Sequence, residues 1–361
     1  PNNARASISN NSWGGPTNGN VYGSLEALYD GMVLDGSTFS TIDPFTIVFS
    51  AGNSGPGSLS LTRPKTAKNV ISVGNSENIR TELGGSSANN IDDLRSSSSR
   101  GPAADGRIKP DIIAPGSYIS GSRAGSGSGV SGQIDANHSF SIGTSHAAPQ
   151  IAGVAALFTQ FWKDNNDGVN PSPALVKAAI INTAQEMNGV NTAAPVPNGD
   201  EGWGRVNMKF MFNTAVPMKY INQTVPFTDP GQNIIYTGRV GDSTKPFRIS
   251  LVWSDPPGVA DPALVNNLDL TVTVGGLTYR GNVFSNGVSV TGGSADTKNN
   301  VENIFLPAGI AAGTPVTIQV AATSLNGNGI LGNADTTDQN FALVAYNSTE
   351  QQLPPVSKNK A

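Results

Sequence analysis

The chain has 361 residues, a net charge of −4, 13% charged and 37% hydrophobic residues, 42 glycines, 24 prolines and no cysteine. Its apolar content and low charge argue against disorder and are enough to close a core at this length, and the count points to two domains. The composition also argues against a coiled coil, a disulfide scaffold, a cysteine nucleophile and thiolate metal sites; without a basic tract or a run of 18 apolar residues, neither nucleic acid nor a membrane is an expected partner.

Residues 1–215 alternate between strand and helix signals. Ser7–Trp13 is a short strand candidate that ends in Gly14-Gly15-Pro16, and Gly23–Leu34 has helical spacing in Leu25, Leu28 and Met32. Phe45–Phe49 is a continuous apolar run ending in Ala51-Gly52-Asn53, as in a strand buried on both faces of a parallel sheet; Asn69–Val73 and Asp111–Ile113 read the same way. From Ser145 to about Lys163 the pattern is apolar almost all round, which predicts a central buried helix, with Pro149 expected in its first turn. A second helix is predicted over Ser172–Met187, with Pro171 and Pro173 at its start. Beyond Val216 the signals become short strands separated by Gly, Asn and Pro turns, at Ile234–Tyr236, Phe247–Trp253, Leu268–Val274, Thr278–Tyr279, Val301–Leu306, Val316–Ala321 and Phe341–Tyr346. The expected fold is therefore an α/β domain with a parallel sheet and helices over 1–215, a β-sandwich or jelly roll over 216–346, and a loose polar tail over 347–361.

Two segments carry candidate chemistry. Gly143-Thr144-Ser145-His146-Ala147-Ala148-Pro149 opens the buried helix. A serine there is either an N-cap or a nucleophile whose oxyanion would be stabilised by free helix N–H groups. Asn53 follows a buried strand in Ser50-Ala51-Gly52-Asn53-Ser54-Gly55-Pro56. Strand ends of a parallel sheet face the binding crevice, where an amide could donate to a developing oxyanion, although a turn asparagine is the plainer explanation.

Thr46–Pro56, Ser98-Ser99-Arg100-Gly101-Pro102, Lys109–Gly116 and Gly143–Pro149, in that order, resemble the blocks of the subtilisin-like serine proteases. Asn11–Gly14 resembles the family's substrate-pairing strand, and Gly202–Val206 the segment that closes its catalytic domain. Leu251–Pro256 and Asn266–Leu270 resemble the C-terminal β-domain of the alkaline, oxidatively stable members. The resemblance implies a serine endopeptidase acting on peptides or proteins, and the low-charge, Ser-, Thr-, Asn- and Gly-rich composition fits a secreted one. Ser145 would be the nucleophile and Asn53 the oxyanion donor, with Gly143 and Thr144 at the site. Ser12, Trp13 and Gly14 would pair with the substrate backbone, while Ala51 and Gly52 would line a primary pocket for a large apolar side chain.

One departure is plain. The family's Asp and His blocks are missing; the two histidines are His138 and His146, and His146 follows Ser145 on the helix, where adjacent side chains diverge. The subtilisin-like portion is thus expected to be N-terminally incomplete and to need an N-terminal fragment of the same precursor that carries Asp and His. The competing expectation is a catalytically inactive protease-like scaffold, or a calcium-binding β-module that acts by binding. Calcium is usual in the family, and Asp255, Asp269, Asp296 and Asn300 are the candidate oxygen ligands.

Overall fold

The computed structural model describes residues 6–15, 19–37, 41–125, 130–192, 195–213 and 215–352. In chain order the first portion contains β1 (Ile8–Asn11), α1 (Ser24–Leu34), β2 (Thr46–Ser50), β3 (Ile71–Ser76), α2 (Thr81–Gly84), β4 (Ile112–Pro115), β5 (Ile119–Ser122), β6 (Gly132–Gln133), β7 (His138–Ser141), α3 (Thr144–Asp164), α4 (Pro173–Asn182) and α5 (Met208–Met211). Strands β1 to β4 form a parallel sheet in sequence order. The apolar run in β2 is buried at every position, as a strand covered on both faces must be.

Helix α3 lies across this sheet and buries Ala147, Ala148, Ile151, Val154, Ala155 and Phe158. Helix α4 starts on a Ser172 cap whose hydroxyl accepts from the Leu175 N–H at 3.1 Å, and all ten of its residues are buried. It stops at Asn182, short of the predicted Met187. Past that point Gln185 leaves the helix to exchange backbone hydrogen bonds with Arg205. The small sheet β5-β7-β6 is absent from the sequence reading, because its Ser- and Gly-rich strands carry no apolar alternation.

The second portion contains β8 (Met218–Asn222), β9 (Asn233–Val240), β10 (Phe247–Val252), β11 (Asn267–Val274), β12 (Leu277–Ser285), β13 (Val288–Thr291), β14 (Val301–Leu306), β15 (Pro315–Ser324), β16 (Ala342–Tyr346) and β17 (Ser348–Gln352). They form two antiparallel sheets, β14-β10-β16-β8 and β13-β12-β11-β15-β9-β17. Phe247, Ile249 and Leu251 from one sheet share a core with Leu268, Leu270 and Val272 from the other. The fold is thus α/β followed by a β-rich domain. β17 corrects the expected loose tail: Ser348–Gln352 pairs with β9. Residues 353–361 lie outside the described residues.

Candidate active site

The end of β2 and the start of α3 meet through three hydrogen bonds. The Gly52 N–H donates to the Thr144 hydroxyl at 3.2 Å. The Thr144 N–H and hydroxyl both donate to Asn53 Oδ1, at 3.0 and 3.1 Å. Asn53 is thereby fixed one residue from Ser145 with its amide oxygen occupied, which leaves its Nδ2 as the donor end. Both Asn53 and Gly52 border solvent or the site mouth, while Ala51 is fully buried behind them. Gly52 has φ of +112°, and a Cβ there would fall 2.8 Å from Ser99 Oγ, so the position demands glycine.

Ser145 is the second residue of α3, so its N–H is among the first four that have no intrahelical acceptor. Its Oγ lies 3.4 Å from the Ser12 carbonyl. In return the Ser12 hydroxyl donates to the Ser145 carbonyl at 2.8 Å. That carbonyl is available because Pro149, four residues on, has no N–H to give it. Pro149 therefore sits in the second turn rather than the predicted first, and the Ser12 hydroxyl supplies the donor it lacks.

Beyond Ser12, Trp13 stands 49% exposed, edge-on to Phe49 at 5.3 Å, and Phe49 packs against Tyr29 at 5.0 Å. Gly14 is exposed. Gly143 and Thr144 are buried at the helix start, and the Gly143 N–H donates to Gly116 O at 3.0 Å. The structure thus brings Ser145, Asn53, Ser12, Thr144 and the Gly52 backbone together. The Ser98–Pro102 block acts as scaffold: Ser99 Oγ accepts from the Ser54 N–H at 3.0 Å and holds the Asn53 loop.

No imidazole is hydrogen-bonded to Ser145 among the described residues. His146 is half-buried, which pushes its pKa below the ordinary value, and it occupies the adjacent helical position. His138 is exposed and its Nδ1 lies 2.9 Å from Asp135.

The four candidate calcium ligands do not form a set. Asp255 is buried and ion-paired with Lys68 at 2.9 Å, and it accepts from the Val265 and Asn266 N–H groups. Asp269 pairs with Asn267 and Thr323, Asp296 with Asn282 and Asn299, and the Asn300 amide donates to Asn69 Oδ1 and Trp253 O. Among the described residues no three His, Asp or Glu side chains converge as a metal site would require. These residues therefore do not fit the ion, and no step is assigned to it.

The model of the subtilase family matches residues 1–204. The chain belongs to the subtilase family. This subtilase is 32% identical over 243 residues to the serine protease/ABC transporter B family protein tagA of Dictyostelium discoideum, covering 56% of this chain and 13% of that one. It is 36% identical over 118 residues to the serine protease AprX of Bacillus subtilis, covering 32% of this chain and 26% of that one. Against its Dictyostelium relatives the chain spans only 13 to 15% of their length. Among solved structures, the patellamide maturation protease PatA is 24% identical with a TM-score of 0.40, over 58% of this chain and 63% of that one. The serine protease of Aeromonas sobria is 14% identical with a TM-score of 0.38, over 94% of this chain and 71% of that one. Among the described residues no helix is long and apolar enough to cross a membrane.

Proposed function

We propose that this chain carries the nucleophile and oxyanion half of a subtilase endopeptidase site, with the Asp and His supplied from outside these 361 residues. The observation that supports the reading is the pair of hydrogen bonds from Thr144 to Asn53 Oδ1, which tie the amide to the residue that precedes Ser145. An imidazole oriented by a carboxylate would take the Ser145 proton as Oγ attacks the scissile carbonyl, then return it to the leaving amine. Asn53 Nδ2 and the Ser145 N–H would stabilise the tetrahedral oxyanion. Water would then hydrolyse the acyl-enzyme by the same proton path. A peptide would pair with Ser12–Gly14 as an added strand. The low-charge surface fits a secreted enzyme.

The test uses the chain alone and the chain complemented by a subtilase N-terminal segment bearing Asp and His. Only the complemented form should turn over a chromogenic peptide at an ordinary ~10 s⁻¹. Loss of the base costs about 10⁶ in kcat in subtilisin itself, a relative from which that figure comes. In the complemented enzyme Asn53→Leu should lower kcat about 10²–10³-fold with little change in KM, again by the measure of subtilisin. Full turnover by the chain alone would refute the divided site, and an unchanged kcat would remove Asn53 from the oxyanion hole. Peptide binding without cleavage in the complemented form would favour the inactive scaffold.

A further inference from the structure

The Ser12–Gly14 segment, which is hydrogen-bonded to Ser145, and the Ala51–Asn53 turn both sit against two side chains of the following loop. A Cβ placed on Gly14 would fall 1.9 Å from Lys65 Nζ and 2.8 Å from Thr62 Oγ1. A Cβ placed on Gly52 would fall 3.5 Å from the same Thr62 oxygen. Lys65 Nζ, which donates to the Thr62 hydroxyl, therefore lies between the two segments.

This ammonium is exceptional in its surroundings. Lys65 is 2% exposed. The other buried lysines all hold carboxylates: Lys68 pairs with Asp255 at 2.9 Å, Lys109 with Asp111 at 2.6 Å and Lys177 with Asp111 at 2.8 Å. The neighbouring Arg63 is taken by Glu26 at 2.6 Å. Lys65 has no carboxylate within ion-pairing distance among the described residues, and burial pushes its pKa down to about 8. A buried unpaired charge is costly unless a partner arrives, and among the described residues the Lys65 ammonium donates only to the Thr62 hydroxyl.

We propose that Lys65 is the specificity determinant of the primary pocket and that this subtilase cleaves after acidic residues, the substrate carboxylate completing the ion pair that the fold leaves open. The proposal rests on the protease reading above and replaces the large apolar side chain expected from the small pocket walls. Gly14 and Gly52 bring no Cβ, and Thr62 and Lys65 set the chemistry between them.

The experiment compares peptide p-nitroanilides that differ only at the residue before the scissile bond, Glu, Gln, Leu or Phe, using the complemented enzyme. Glu should exceed the isosteric Gln by about 10- to 100-fold in kcat/KM, the range expected for a charge-assisted hydrogen bond. Lys65→Met should bring that ratio close to one and raise cleavage after Leu. Because the variant could misfold, the wild-type ratio is also measured across ionic strength. A Glu advantage that shrinks with salt supports the proposal; preference for Leu or Phe, or a Glu to Gln ratio near one, overturns it. If no peptide is cleaved, the protease reading is what fails. Calorimetric binding of the product peptides ending in Glu and Gln then decides the pocket: tighter binding of the Glu product supports it and equal binding refutes it.

Discussion

A lysine held without a counter-charge is paid for in stability, and the sign can be worked out. In the unfolded chain Lys65 titrates near its ordinary 10.5, and in the folded chain at about 8. Below pH 8 both states carry the charge and the fold bears the full desolvation cost. Between about pH 8 and 10.5 the unfolded state binds more protons, so this group's contribution to stability rises with pH. Lys65→Met should therefore raise the Tm at pH 7, equivalent to about 1–3 kcal/mol, and the gain should shrink to little above pH 10.5. A pH-independent difference would mean that the ammonium is not desolvated in the fold. That Ser145 opens a helix and Asn53 follows a buried strand was legible, since each sits in a local pattern that ties a polar group to an element end. Lys65 was not, because nothing in Thr62-Arg63-Pro64-Lys65 distinguishes a solvated loop lysine from one folded under Gly14. The acidic candidates of the β-rich domain erred in the same way: Asp255 is the partner of Lys68, 187 residues earlier in the sequence, and no spacing rule reaches that far.

At the scale of elements, the start of α3 is coupled to the Ser12 segment by a defect. Pro149 removes the N–H that would have bonded to the Ser145 carbonyl, and Ser12 Oγ takes its place at 2.8 Å. The backbone of Ser145, the proposed nucleophile, is thereby tied to the segment proposed to pair with substrate. Ser12→Ala should cost about 1 kcal/mol of stability, the usual net worth of such a bond. In a Pro149→Ala background the helix regains its own donor, so Ser12→Ala should then cost distinctly less. Additive losses in this double-mutant cycle, followed by thermal melts, would show that the two donors do not compete. The elements themselves were legible to the degree that their apolar patterns were local. β2, β4, α3 and most strands of the second portion follow runs of Val, Ile, Leu and Phe. The predicted extension of α4 to Met187 failed because Ala184 and Met187 are buried outside any helix, which an apolar pattern does not distinguish from a helical turn.

For the molecule as a whole, the two portions share one core. Val252, Val301, Phe305, Ala342 and Val344 of the β-rich domain belong to the same cluster as Ile151, Phe158, Val176 and Ile180 of α3 and α4. Polar bonds reinforce the junction: Asn182 Nδ2 donates to Ser250 Oγ at 3.0 Å and to Val344 O at 3.1 Å. On the other side Asn69 Nδ2 donates to Asp255 O at 2.8 Å, its Oδ1 accepts from the Asp255 N–H at 2.9 Å, and Lys68 is buried against the same residue. Residues 68 and 69 lead into β3, so the β-rich domain braces the parallel sheet whose strand ends carry the site. Each large apolar side chain uncovered costs about 1.5–3 kcal/mol, and several together match the ~5–15 kcal/mol that holds a domain folded. Residues 1–215 expressed without the β-rich domain should therefore aggregate or melt without a cooperative transition, even when complemented with the Asp and His segment. A cooperative melt of that fragment within a few degrees of the full chain would show that α4 can close its core alone, and that the second domain is an appendage rather than a wall of the first.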